Sequence, residues 1–518
     1  MKLSKLLQGL NQENLKYNIS GNKEIEVKGI TDDSRKVKND DLFVAIKGLH
    51  FDAHKFIPDV ISSGAKVIVG TETAKMFNLK NVTYIQVENS RKALSFLASI
   101  WFGNPSKKLK IIGVTGTKGK TTTAEIIYQI IKESGLRVGL VSSISAKIGD
   151  NEYDTGLHVT NPEPILLQSF LCKMVDLKCL WVVLEVTSHG LDQERVAGIH
   201  FDIAALTNIK PEHLDYHKTF EAYREAKAKL FKEADKVILN KDDKSFEFLK
   251  KIVGDRKKLI SYGIKNKGDY FGCEIKIGDK MNFSVNAEDR TYRFRINMIG
   301  EYNVLNCLAA ISVARQVGVD WSYIQKALEK LPKIIGRLEE IKNNKGFNIY
   351  IDFAHTPDSL EKVLELLKKR TRGKLVAVFG CAGERDVLKR TKMGEISAKL
   401  ADVSIFTAED PRSEKVEDII GEMIVGARRA GVKEFKPRYL DESIHGIRGN
   451  IYMIIPQRGE GIAFAIQKIA QKGDTIVICG KGHEKSMCYG QVEYPWSDHE
   501  AVNLAIKGKV KVINKNEI

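Results

Sequence analysis

At 518 residues the chain exceeds the size at which one hydrophobic core keeps growing, which predicts two to four domains rather than one. With 43% hydrophobic residues, 29% charged residues and only 11 prolines, it reads as a folded soluble protein and not as a disordered or fibrous one. The formal charge of +16, from 82 Lys and Arg against 66 Asp and Glu, fits a nucleic acid, a membrane surface, a polyanionic small substrate or a solvated basic surface, and its sign does not choose among them.

From about residue 25 to 100, short β-like runs (Asp41 to Ile46, Ala65 to Val69, Thr83 to Val87) alternate with helical periodicity around Lys92 to Trp101, which predicts a small α/β domain. The turn cluster Gly103-Asn-Pro-Ser106 closes it. A strand over Lys110 to Val114 then runs into a Gly-rich turn and a helix over Thr121 to Glu133. Next come a strand over Val138 to Ser142, a helix near Pro164 to Val175 and a strand over Leu180 to Val186. This alternation predicts a mostly parallel sheet with helices on both faces. The charged alternating runs between Phe271 and Met298, broken at Gly278-Asp279-Lys280 and Ala287-Glu-Asp289, predict antiparallel hairpins, and a helix over Val304 to Val317 follows. After Leu331-Pro332 a further α/β stretch has strands at Ile349 to Phe353, Leu375 to Phe379, Val403 to Phe406 and Thr475 to Cys479. The segment Tyr439 to Ile455 fits this alternation poorly.

Seven cysteines, at 172, 179, 273, 307, 381, 479 and 488, include no Cys-x-x-Cys pair, so neither a disulfide framework nor a zinc site is expected, and a reducing cytoplasm fits. The N-terminus, Met1-Lys-Leu-Ser-Lys5, lacks the apolar run of a secretion signal, and no stretch is long and apolar enough to predict a membrane span. Basic residues are spread along the chain, densest from Lys507 to Lys515, as on a solvated surface.

Three motifs carry chemistry. In Ile111-Ile-Gly-Val-Thr-Gly-Thr-Lys-Gly-Lys-Thr-Thr123 an apolar strand enters a Gly-rich turn and then a helix. Glycines Gly116 and Gly119 let backbone N–H groups approach phosphate, Lys120 neutralises the outer phosphates and the Thr121 hydroxyl can ligate Mg²⁺, with Thr117 and Thr122 flanking them. The usual spacing is not kept, because Val114 stands five residues before Gly119 and the glycines fall at 113 and 116. Trp181 to Leu191 delivers Glu185, Thr187, Ser188 and His189 at a strand's end, where a carboxylate suits a metal. Leu206 to His217 empties a β-run into a loop with His213, so that Thr121, Glu185 and His213 form a plausible Mg²⁺ shell around ATP. Lys227, in Tyr223-Arg-Glu-Ala-Lys-Ala-Lys-Leu-Phe231, reads by pattern alone as part of a solvated helix face.

Together these motifs resemble the Mur ligases of peptidoglycan synthesis, and within them the UDP-N-acetylmuramoyl-tripeptide synthetases. The resemblance runs from Thr31-Asp-Asp-Ser-Arg35 through the phosphate loop and Glu185-Val-Thr-Ser-His-Gly-Leu191 to Asp352-Phe-Ala-His-Thr-Pro357 and Gly480-Lys-Gly-His-Glu484. It implies an α/β protein of three domains: a UDP-sugar domain (1–108), a central P-loop parallel-sheet ATPase domain (109–332) and a Rossmann-like C-terminal amino-acid domain (333–518). It also implies a cytoplasmic, monomeric ligase of cell-wall biogenesis, serving cell shape and division. ATP would phosphorylate the D-glutamyl carboxylate of UDP-N-acetylmuramoyl-L-Ala-D-Glu, and the amine of meso-diaminopimelate would attack the acyl phosphate.

By the same resemblance Ser34 contacts the uridine nucleotide, while Thr160, Asn161, Thr187, Gln193 and Arg195 hold the muramoyl-dipeptide end. Lys120, Glu185, His213 and Lys227 are the catalytic set, and Lys227, as a carbamate, helps hold a second Mg²⁺. Asn306, Arg337, Asp352 and His355 serve the nucleotide. Arg385, Glu409, Asp410, Pro411, Arg412, Gly480 and Glu484 serve the amino acid, with Arg412 gripping a distal carboxylate and Glu484 pairing with the distal ammonium. The sequence departs from the family pattern at Lys118, where Asn is usual, at Asn161 for Thr, at Glu212 for Asp, and at Glu409-Asp410 for Asp-Asn. The stretch Ile444 to Met453 resembles an insertion. The same ligation with L-lysine remains open as an alternative, as does a P-loop nucleic-acid binder. The latter calls for aromatic-basic clusters, and the 8% aromatic residues fall mostly at apolar-periodic positions.

Overall fold

The run Ile111, Ile112, Val114 is apolar on both of its alternating faces, as a strand must be when helices cover both sides of its sheet. Ile112 and Val114 pack into one core with the helices Lys120–Glu133 and Tyr302–Val317, and Ile111 packs into the opposite core with Pro164–Asp176 and Phe220–Glu233. The computed structural model describes residues 1–48, 51–156, 161–255, 258–278, 280–436 and 449–513. It divides into two compact units, Met1–Leu331 and Pro332–Ile518.

Within the first unit, a five-stranded sheet among the described residues runs in the order Tyr17–Ser20, Thr83–Val87, Val67–Gly70, Asp41–Val44, Gly29–Thr31, parallel except for its first pair. The helix Leu3–Gln12 covers it with Leu3, Leu6, Leu7 and Leu10, spaced for one helical face. The described residues of the same unit also form an eleven-stranded sheet whose parallel centre places Lys110–Thr115 between Ile203–Leu206 and Trp181–Glu185. Antiparallel strands finish both ends, and at one of them Tyr270–Ile277, Met281–Ala287 and Arg290–Ile296 form the expected hairpins. Asp279, in the first hairpin's turn, lies outside the described residues.

The second unit carries a seven-stranded sheet among its described residues. Its order is Glu339–Ile341, Asn348–Asp352, Thr475–Cys479, Leu375–Phe379, Val403–Phe406, Ile451–Ile454, Lys433–Glu434, and only the first pair is antiparallel. The segment 439–455, which fits the alternation poorly in sequence, ends in a central parallel strand, Ile451–Ile454; its residues 439–448, including 444–448 of the expected insertion, lie outside the described residues. Among the described residues no helix is long and apolar enough to cross a membrane.

Both large sheets deliver polar loops from the carboxyl ends of parallel strands, and in the first the strand Lys110–Thr115 and its neighbour Ile203–Leu206 send their connecting helices, Lys120–Glu133 and Phe220–Glu233, to opposite faces. That switch point is where open α/β sheets hold ligands.

Candidate active site

The phosphate loop leaves the strand Lys110–Thr115 and ends at the helix Lys120–Glu133, so its backbone N–H groups gather at a helix N-terminus. Two glycines make this path possible. Gly116 has φ +155° and Gly119 φ +85°; a Cβ at Gly116 would run into the Thr207 hydroxyl, and one at Gly119 into the Asn306 side-chain oxygen. Asn306 thereby backs the loop from the helix Tyr302–Val317, donates to Asn303 Oδ1 at 3.0 Å and accepts from Thr123 Oγ1 at 3.4 Å. Lys120 Nζ donates to the Thr117 carbonyl at 3.0 Å, curled over its own loop. Thr122 is buried on the helix's first turn.

Thr121 points to Glu185. Its hydroxyl lies 3.2 Å from Glu185 Oε1 and 3.0 Å from Ser143 Oγ, while Ser143 N–H donates to Glu185 Oε2 at 3.0 Å. Glu185 is only 2% exposed, yet three donors meet its carboxylate. Ser143 is a member of this cluster that the motifs did not single out; it follows the strand Val138–Val141, and its position just past a parallel strand's carboxyl end was the available signal. One carboxylate and two hydroxyls beside a phosphate loop form the oxygen-rich donor set that suits Mg²⁺ shared with phosphate oxygens. The residues therefore fit the ion.

His213 stands in the left-handed region at φ +57°, and burial lowers its imidazole to about 3, with Lys120 and Lys227 adding to the effect. It is neutral at physiological pH, as a metal ligand must be. Its ring meets His189 edge-on at 4.8 Å.

Lys227 is not on a solvated face. It is 1% exposed, its Nζ donates to the Gly116 carbonyl at 2.8 Å and it lies 4.7 Å from the Tyr223 ring centroid. The helix Phe220–Glu233, capped by Thr219 accepting from Ala222 N–H, packs this side chain beneath the phosphate loop, a long-range contact that helical periodicity does not encode. Burial, and then the charge of Lys120, push its amine well below the ordinary lysine range.

Asn161, expected at the substrate, is held by protein groups. Its amide donates to the Glu185 carbonyl at 2.7 Å and accepts from both Thr187 N–H and Thr187 Oγ1 at 2.8 Å, and it is 2% exposed. Thr187 in turn caps the short helix Ser188–Asp192. Arg195 donates to the Asn161 carbonyl at 2.7 Å, pairs with Glu163 at 2.8 Å and is met by Gln193 Oε1 at 3.1 Å. Thr160 lies outside the described residues. Ser34 is half-buried at the start of a tight turn whose preceding Asp33 accepts from Arg35 N–H.

In the second unit three motifs converge. Asp352 accepts from Leu338 N–H at 2.6 Å and Ala354 N–H at 2.8 Å, the Arg337 guanidinium lies 4.8 Å from the Phe353 ring centroid, and the Phe353 ring lies 4.9 Å from that of His483. His355 bonds the Phe353 carbonyl at 2.8 Å. Beside them Lys481, fully buried, binds Asp410 at 2.8 Å and Glu484 at 2.5 Å. Glu409 lies under Gly480 and is 6% exposed, and burial raises its carboxyl to about 7. After Pro411, Arg412 takes φ +53° and donates to the Gly383 carbonyl at 2.7 Å; among the described residues its guanidinium meets no carboxylate. Arg385 is exposed on the neighbouring loop.

Family models match three stretches: the Mur ligase family catalytic domain over residues 26–101, the Mur ligase middle domain over 114–314, and the Mur ligase glutamate ligase domain over 336–482. The UDP-N-acetylmuramoyl-L-alanyl-D-glutamate–2,6-diaminopimelate ligase 1 of Clostridium acetobutylicum is 37% identical over 98% of this chain and 99% of its own. The corresponding ligase of Clostridium tetani is 39% identical over 93% and 95%. A solved structure of a ligase of that name is 28% identical, covers 95% of this chain and 97% of its own, and superposes with a TM-score of 0.63. A Thermotoga maritima MurF ligase solved with ADP shares the fold, at 22% identity and a TM-score of 0.60 over 94% of this chain and 99% of its own.

Proposed function

The chain belongs to the Mur ligase family, and we propose that it joins meso-diaminopimelate to UDP-N-acetylmuramoyl-L-Ala-D-Glu at the expense of ATP. The observation that carries this reading is the convergence of Lys120, Thr121, Glu185 and the buried Lys227 on one phosphate loop. A carboxylate does not condense with an amine at neutral pH because it lacks a leaving group, and an acyl phosphate supplies one. Lys120 releases the Thr117 carbonyl to meet the outer phosphates, and the loop N–H groups hold the nucleotide for in-line transfer of the γ-phosphoryl group to the D-glutamyl carboxylate. Thr121, Glu185 and His213 would hold Mg²⁺, which neutralises developing charge on the phosphates.

Lys227 gives the reading a second support. A buried lysine whose charged form is disfavoured presents the neutral amine that adds CO₂, and the resulting carbamate is an anion placed against Gly116, where it would serve a second Mg²⁺. The muramoyl-dipeptide end is assigned to Thr160, Thr187, Gln193 and Arg195, and the uridine end to Ser34. Asn161, assigned to the same end, also orients Thr187 and the Glu185 strand.

For the amino acid, the Arg412 guanidinium is available as a fork for a distal carboxylate, which diaminopimelate has and L-lysine lacks. Glu484, Asp410 and Lys481 form the adjoining charged wall. Attack by the neutral amine then expels phosphate and leaves ADP. The test is phosphate release from ATP with Mg²⁺ and the UDP-dipeptide, comparing meso-diaminopimelate, L-lysine and no amino acid. Release only with diaminopimelate supports the whole reading; release only with lysine overturns the role of Arg412.

A further inference from the structure

In the second unit one buried ion pair reaches the carbonyls that precede two residues assigned to the amino acid. Arg458, 1% exposed, donates from Nε and Nη2 to the two carboxylate oxygens of Asp498, each at 2.7 Å, and Asp498 is fully buried. The same guanidinium donates from Nη1 to the Ala408 carbonyl at 3.2 Å and from Nη2 to the Cys479 carbonyl at 2.9 Å. Trp496 Nε1 donates to Asp498 Oδ1 at 2.9 Å and fixes the acid in turn.

Those carbonyls belong to the residues just before Glu409 and Gly480. Their strands, Val403–Phe406 and Thr475–Cys479, are not neighbours: Leu375–Phe379 runs between them, so about 10 Å of sheet separates the two. No ladder hydrogen bond joins them, and the planar fork of an arginine has the reach and the donors to do so. The separation matters at the next residue of each strand. Gly480 is seated against Glu409, where an added Cβ would come within 2.7 Å of Glu409 Oε2, and that oxygen is buried with no hydrogen-bond partner among the described residues. Packing under Gly480, not a bond of its own, therefore sets where this oxygen stands. A buried ion pair adds little net stability over apolar side chains of like volume, but apolar side chains could not hold two carbonyls.

We infer that Arg458 is a positioning residue for the amino-acid site: by clamping the Ala408 and Cys479 carbonyls across the sheet, it fixes Glu409 against Gly480 and so the place of the incoming amino acid. This rests on the amino-acid assignment above. It makes the two carbonyl bonds, rather than the charge of the ion pair, the feature whose loss is felt at the site.

The experiment is steady-state kinetics and backbone hydrogen exchange on the full chain, on Arg458→Lys, and on Arg458→Met combined with Asp498→Asn, which removes both charges and leaves Trp496 Nε1 an acceptor. Ile469→Ala, which opens a cavity in the same core, is the control for lost stability. Both arginine variants are expected to raise KM for meso-diaminopimelate by about ten- to a hundredfold, with KM for the UDP-dipeptide, whose assigned residues lie in the first unit, little moved. Exchange at residues 407–410 and 479–482 is expected to quicken by about tenfold. Ile469→Ala should lower the unfolding midpoint without moving KM for the amino acid. An unmoved KM for diaminopimelate in the folded arginine variants, unchanged exchange at those residues, or the same rise in KM in Ile469→Ala would overturn the inference. Because exchange is read with no substrate present, a chain that loosens at these residues on loss of Arg458 yet ligates nothing even as the parent fails the ligase reading alone.

Discussion

The Nζ of Lys227 donates a 2.8 Å hydrogen bond to the carbonyl oxygen of Gly116, joining a helix to a phosphate loop 111 residues earlier in the chain. The contact buries a lysine at 1% exposure with no carboxylate hydrogen-bonded to it among the described residues, and burial drives its amine toward the neutral form. Lys227→Arg keeps a permanent cation that cannot add CO₂, and Lys227→Met removes the amine. Both are expected to lower kcat by about a hundredfold or more, as loss of a charge-stabilising group in a closed site does. The carbamate itself is checked by carbon-labelled bicarbonate in magnetic resonance, where the signal should vanish in both variants. Full activity in Lys227→Met would remove the residue from the catalytic set.

Asn161 is held by protein groups at both ends of its amide, so its replacement acts through what it holds. Asn161→Ala leaves the Glu185 carbonyl and Thr187 N–H without their buried partner, which should cost about 1–3 kcal/mol in unfolding free energy. Asn161→Asp keeps the acceptor but sets an oxygen against the Glu185 carbonyl, and should be the more damaging of the two. Thermal unfolding together with kcat/KM for the UDP-dipeptide reads both effects; an Asn161→Asp chain as stable as the parent would contradict this network.

The contrast between these two residues shows what a sequence makes legible. The phosphate loop was readable because strand, glycines, lysine and threonine are contiguous, and the parallel strands because apolar runs such as Leu375–Phe379 and Thr475–Cys479 carry their own signal. The environment of Lys227 was not, since the residues that bury it come from distant parts of the chain and the local pattern Glu-Ala-Lys-Ala-Lys reads as solvated. Ser143 carries only a weak signal because a serine after a strand is common, and only the fold puts its N–H on Glu185. The helix Leu3–Gln12 hides its apolar face among polar residues, and the strand Ile451–Ile454 follows a segment with no clear period.

The carboxyl of Glu409 is raised by burial to about 7 from an ordinary 4.5, with the neighbouring Asp410 adding to the rise and Lys389 opposing it. Between those values the folded chain holds a proton that the unfolded chain has released. Stability is therefore fullest below the unfolded value and falls as pH rises through the folded one, by about 3 kcal/mol at most. Glu409→Gln should flatten this dependence in denaturant unfolding between the two values. An unchanged slope would place the proton elsewhere.

Arg412 offers the clearest separation of ligase from substrate choice. Its left-handed backbone at φ +53° follows Pro411, and its N–H donates to the Cys488 carbonyl at 3.1 Å, so the guanidinium is aimed by the main chain rather than by a salt bridge. A fork held this way binds a planar carboxylate with two parallel hydrogen bonds, and a lysine ammonium in its place supplies only a point charge. Arg412→Lys is therefore expected to lower kcat/KM for meso-diaminopimelate by about a hundredfold, with KM for ATP and for the UDP-dipeptide little moved. Arg412→Met should lose more, because the distal carboxylate is then desolvated without a partner, and the preference over L-lysine should shrink with it. If both variants kept the parent's preference, the distal carboxylate would have to be read by another cation, and Arg385 on the adjoining loop is the next residue to replace.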